Sequence, residues 1–90
     1  SKFAEANDVK INQKIELLQL LNRAYFKSYK GTLKKLDKGF KNIDESNKGL
    51  YNYIQFYCNY FQKNKIEAEK YYQLISGSYK QKADYILKQV

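Results

Sequence analysis

Leu50–Phe61, LYNYIQFYCNYF, is the stretch whose reading decides the fold. Six of its twelve residues are aromatic (Tyr51, Tyr53, Phe56, Tyr57, Tyr60 and Phe61), and none is charged, in a chain that is 29% charged. Leu50, Ile54, Tyr57 and Phe61 step by 4, 3 and 4, which makes one apolar stripe on a helix. Tyr53, Phe56 and Tyr60 make a second stripe beside it. A strand competes, because Tyr, Phe and Ile favour strands and Tyr51–Tyr53 begins an alternation. Gln55 followed by Phe56–Tyr57–Cys58 ends that alternation, and no hairpin turn or second strand lies nearby. The stretch predicts a central helix whose apolar face needs cover on two sides, from its own chain or from a partner.

Working back from it, Asp44–Gly49, DESNKG, is the clearest loop, with no apolar residue. Before the loop, Ile11, Ile15, Leu18, Leu21, Tyr25, Tyr29, Leu33, Leu36, Phe40 and Ile43 follow one another by steps of 3 or 4. Val9, Leu17, Leu20 and Ala24 widen that stripe in its first half. Ser1–Asn7 reads as a loose lead-in, with Asn7 or Asp8 as the N-cap. The pattern predicts one long, kinked helix over Asp8–Ile43, about 54 Å if unbroken. The alternative is a break at Tyr29–Thr32 with Gly31 as the C-terminal cap.

Working forward, the aromatic stripe continues through Lys63–Lys65 to Ala68, Tyr71 or Tyr72, and Ile75. A local turn at Lys63–Lys65 would instead split it. Ser76–Gly77–Ser78 predicts a stop, with Ser78 capping a last helix over Tyr79–Gln89. That helix places Tyr79, Ala83, Ile86 or Leu87, and Val90 on one side. The expected fold is all-α: a small helical bundle built on a long antiparallel helical hairpin plus a short C-terminal helix, in a single domain spanning 1–90.

Composition agrees with helices. The chain has 90 residues, no Pro, four Gly, one Cys and no His. A chain of this size buries about two thirds of its unfolded surface, so its own core is marginal. Cys58 has no partner for a disulfide, and reads as a small buried hydrophobe in a chain for which an intracellular setting is slightly favoured. No run of 18 apolar residues exists to span a membrane. SKFAEAND is not a signal peptide. With no Met in the chain, residues are expected before Ser1.

Charge supplies the main functional signal. The net charge is +8, which attracts acidic partners without choosing among them. Arg23, Lys27, Lys30, Lys34, Lys38 and Lys41 follow the rhythm of the apolar stripe two places earlier, so on one continuous helix they lie opposite the core. Between residues 23 and 43 Asp37 is the sole acid against seven basic residues, Lys35 included. Neighbouring like charges on a helix repel, so the stripe predicts a docking face for something acidic. Phosphate contacts by Lys are blind to sequence, and one Arg with no helix-turn-helix spacing or zinc ligands argues against reading bases. A membrane would meet such a stripe electrostatically. Dimerising basic hairpins of BAR-type domains share this architecture, without any shared motif here.

The surplus of aromatics suggests a second surface. Tyr is enriched at interfaces, and Tyr53, Phe56, Tyr60 and Tyr71 are the expected members of a homodimer or partner interface. The bland reading is a Tyr-rich core whose hydroxyls reach water. Tyr60–Ile75 resembles one tetratricopeptide repeat in the order aromatic helix, polar turn, EA…YY helix. Gln55, Phe56 and Asn59 stand where that repeat has Leu, Gly and Tyr, so no repeat family is assigned. Glycine-rich phosphate loops, HExxH and cysteine pairs are absent, and Glu67 and Glu69 point to different sides of a helix. The sequence therefore predicts no enzyme, cofactor or metal. It predicts a protein-interaction module, self-associating through the aromatic helix, with a Lys-rich face for an acidic partner. The alternative is an electrostatic binder of nucleic acid or anionic membrane through the same face.

Overall fold

A computed structural model describes the backbone of residues 2–89 and the side chains of 8–89. The place of Val90 in the last stripe, and of Ser1 in the lead-in, lies outside the described residues. Five helices follow in order: α1 (Lys2–Tyr25), α2 (Tyr29–Gly39), α3 (Lys48–Phe61), α4 (Lys65–Leu74) and α5 (Ser78–Lys88), with a 3-10 turn at Glu45–Asn47. Among the described residues there is no strand. The molecule measures 48 × 25 × 20 Å.

The central helix is where the aromatic stretch predicts it. α3 packs against each of the other four helices. Tyr53, Ile54, Phe56 and Cys58 are buried, as are the polar Gln55 and Asn59. Each polar group has a partner. The Asn59 side-chain amide donates to the Gln55 carbonyl at 2.8 Å, and that of Gln55 donates to the Tyr51 hydroxyl at 3.1 Å. Such pairing removes the penalty that an unsatisfied buried amide would carry.

The two long arms of the expected hairpin are each cut in two. The first break falls at Lys27, not at Gly31, and the second at Lys63. Both lysines sit in the left-handed region, at φ 69° and 65°. Around Lys27, the Ser28 amide reaches back to the Arg23 carbonyl (3.1 Å) and the Lys27 amide to Ala24 (2.9 Å). Around Lys63, Asn64 reaches back to Asn59 (2.9 Å) and Lys63 to Tyr60 (3.1 Å). These are two Schellman caps, which satisfy the last carbonyls of a helix. A Gly normally occupies this position; here a Lys bears the left-handed conformation. The next helices then start alike: the Thr32 amide bonds to the Ser28 carbonyl and that of Ala68 to Asn64.

Other expectations are also revised. Helix α1 begins at Lys2, so Asn7 and Asp8 lie inside it rather than capping it. Of the predicted stripe on α1, Ile11, Ile15 and Leu18 are exposed; Leu17, Leu20, Leu21 and Ala24 form the core contact. The bundle covers α1 along that second face, about 120° away from the first (100° per residue). The first arm ends at Gly39, short of Ile43. Ser78 is the first residue of α5 and makes no capping bond; Gly77 precedes it at φ 67°, ψ −150°, a conformation open to Gly alone.

The connector from α2 to α3 is held by one side chain. The Gln13 carboxamide donates to the Asn42 carbonyl at 2.8 Å, and its oxygen accepts from the Asp44 amide (2.9 Å) and from the buried Asn47 side chain (3.0 Å). Asn47 also donates to the Lys10 carbonyl at 3.1 Å. Hydroxyl and amide bonds from Ser46 hold the Asp44 carboxyl below its ordinary value. Gln13 stands one turn before Leu17 on the covered face of α1, in step with Leu17, Leu20 and Ala24, so the tie sits where that apolar stripe turns polar.

Candidate functional site: a basic groove between the first two helices

The turn at Lys27 changes what the basic residues can do. On one continuous helix the six would form a straight exposed row. With the chain reversed, Arg23 on α1 comes to face Lys34, Lys35 and Lys38 on α2 across an open groove of about 620 Å³. Leu20 and Phe40 supply apolar wall, Gly39 leaves room at one end, and Glu16 and Gln19 complete the α1 side. Leu20 is buried and Phe40 half-buried, so the groove has an apolar base beneath a cationic rim.

All six predicted basic residues are exposed. Three of them, Arg23, Lys34 and Lys38, meet at the groove. Lys30 lies on α2 outside its lining, and Lys27 stands in the turn. Lys41 lies past the end of α2, beside a separate depression lined by Lys48, Tyr51 and Asn52. Lys35, Glu16 and Gln19 join the site although the stripe omits them. Lys35 was visible as charge, but only the reversal of the chain brings it opposite Arg23. Among the described residues the one ion pair is Lys48–Glu45, at 2.8 Å. Glu16 therefore shares the groove with four cations without neutralising any of them by direct pairing.

Two of the four residues predicted for an aromatic interface, Tyr53 and Phe56, are not at the surface. Tyr53 is 2% exposed and Phe56 1%. Both are core, because α4 and α5 supply the cover that a second chain was expected to provide. Phe56 lies between Tyr60 and Tyr72, with ring centroids at 5.6 and 5.8 Å. Tyr60 and Tyr71 are half-buried. Among the described residues nine of the rings form one connected cluster, and Phe40 and Tyr51 form a separate pair. Tyr57 touches Tyr25 edge-on at 5.0 Å and Phe61 at 4.6 Å, and Phe61 stacks on Tyr29 at 5.8 Å. Tyr25 and Tyr53 share a hydrogen bond between their hydroxyls at 3.1 Å. Burial pushes the Tyr53 hydroxyl up, and the bond to Tyr25 pushes it the same way.

Cys58 is fully buried, and burial pushes its thiol up to about 12. A thiolate nucleophile needs the opposite environment. Among the described residues no three His, Cys, Asp or Glu side chains gather to hold a metal, and no helix is long and apolar enough to cross a membrane. Comparison with protein-family models, with curated proteins and with solved structures finds no match to this chain.

Proposed function

We propose that the chain is a non-catalytic interaction module whose α1/α2 groove takes an acidic segment of a partner protein. The observation that carries this reading is the convergence of Arg23 with Lys34, Lys35 and Lys38 over Leu20 and Phe40. Unpaired cations along an open groove attract carboxylates and suppress basic competitors. An apolar base below them favours a ligand that adds a Leu or Phe side chain to its acids. Glu16 on the lip disfavours a uniformly anionic polymer, which would have to pass it.

A second reading is electrostatic binding of nucleic acid or an anionic membrane. It rests on Lys30, Lys34 and Lys38, which step by four along the exposed side of α2. Salt and geometry separate the two. We expect a fluorescent Asp/Glu peptide carrying one central Phe to bind at 150 mM salt, and Lys34→Glu with Lys38→Glu to abolish binding while the helical circular dichroism stays unchanged. Binding to duplex DNA or phosphatidylserine vesicles should fall by orders of magnitude between about 50 and 200 mM salt. If DNA or vesicles bind at physiological salt and the peptide does not, the groove reading is wrong and the second one stands.

A further inference from the structure

Helix α1 carries a second apolar face that the bundle leaves open. Ile11, Ile15 and Leu18 are 53, 47 and 42% exposed, and Tyr25, further along the same line, is 46% exposed. With Asn22 between the last two, the positions step by 4, 3, 4 and 3, the spacing of a coiled-coil seam. That spacing names the shape of what covers the face: another helix, packed along α1.

The flanks name which helix. A chain of net charge +8 repels its own copies over most of its surface. The exposed positions beside the seam are Asp8, Lys10, Asn12, Lys14 and Gln19, whose charges of both signs nearly cancel. Two copies can therefore meet here with little opposition, unlike at the lysines of α2. Asn22 adds self-complementarity, because a carboxamide both donates and accepts and so can pair with its own copy. An Asn at this kind of position is known to set the register of parallel two-stranded coils. We infer that α1 pairs in parallel with α1 of a second copy of this chain, through Ile11, Ile15 and Leu18, with Asn22 against Asn22 and with Tyr25, which leans on Tyr57 of its own chain, at the edge of the contact.

Two heptads are too few for an isolated coiled coil. Here the helix is already formed on the bundle, so association does not have to order it. The contact is short, and such an interface sits at the small end of the size range. The dimer should therefore be micromolar rather than nanomolar. It borders the basic groove only at Gln19 and does not depend on the groove's cations.

Sedimentation equilibrium from about 5 to 500 μM, in 0.3 M salt to screen the net charge, tests the pairing. A monomer–dimer equilibrium is expected for the natural chain. Ile15→Glu should be monomeric throughout with an unchanged melting temperature, since the side chain it replaces is half in water. Asn22→Cys should form an intermolecular disulfide on mild oxidation, because paired seam positions in a parallel coil lie within disulfide reach. A natural chain that stays monomeric at 500 μM overturns the inference. So does a dimer that Ile15→Glu leaves intact, or an Asn22→Cys chain that dimerises without cross-linking.

Discussion

The α1/α2 and α3/α4 pairs turn on the same device and come to opposite ends. Each has a Lys in the left-handed region, the same two back-bonds, and a polar residue that opens the next helix. Yet α4 lies tightly along α3, while α1 and α2 meet less and leave a groove. The facing side chains explain the difference. Phe56 of α3 lies against Tyr72 of α4, and the facing helices bury Asn59 and the small Ala68. Across α1/α2 the rim is Glu16, Gln19 and Arg23 against Lys34, Lys35 and Lys38. Closing it would press Arg23 toward three lysines and strip all of these charges, Glu16 included, of water. Each helix instead turns its own core residues onto α3: Leu17, Leu21 and Ala24 from one, Thr32 and Leu36 from the other. The turn sets the direction of the returning helix; the side chains set how near it comes.

The largest test of this contrast is a matched pair of truncations. Phe56→Ala, inside the closed pair, should cost about 3–5 kcal/mol. Phe40→Ala, at the half-buried base of the open groove, should cost clearly less. Urea unfolding monitored by circular dichroism compares them. Equal losses would mean that the groove base is as tightly packed as the α3/α4 seam, and the contrast would fail.

A second test uses the buried thiol of the closed pair. The unfolded chain releases the Cys58 proton near pH 8.5. The folded chain holds it to about 12. Between those values the folded state binds more protons, so stability should fall as pH rises. The slope approaches about 1.4 kcal/mol per pH unit for one such group. Tyr53, raised in the same direction, adds to the fall above its ordinary value of 10.0. Urea midpoints at pH 8, 9 and 10 should show the decline, and Cys58→Ala should flatten it between 8.5 and 10. A slope that survives Cys58→Ala would point to another group.

The smallest expected effect is also the one that asks whether the two turns are equivalent. A left-handed residue with a side chain is strained by roughly 1–2 kcal/mol, part of which Gly would lose again to its greater freedom when unfolded. Lys27→Gly and Lys63→Gly should each stabilise by about 0.5–1 kcal/mol, seen as a rise in melting temperature. A gain at Lys63 alone would mean that the open pair depends on its turn differently from the closed one.

The turn at Lys27 marks what could not be read ahead, whereas the turn at Lys63 falls at the split that Lys63–Lys65 offered as an alternative. The stripe passes through Lys27 and Lys63 without a change of phase, so hydrophobic periodicity carries straight across both breaks. Gly31 attracts attention as a breaker, yet it lies within α2, which runs on to end at Gly39. The basic residues were legible as a set; their meeting at a groove was not, because it depends on where the chain reverses. Burial of Tyr53 and Phe56 was likewise hidden, since an aromatic that suits an interface suits a core equally well.

Local composition was sufficient for the all-helical class, for the aromatic helix at the centre and for the short helix at the end. Those follow from periodicity and the lack of Pro, which act over one or two turns. Packing chose the rest. It selected which of two apolar faces on α1 would be covered, made the chain reverse at two lysines, and left four cations around one groove. A repeat of 3 and 4 says that a face is apolar; it carries no information about which neighbour arrives to cover it, since that neighbour comes from distant sequence.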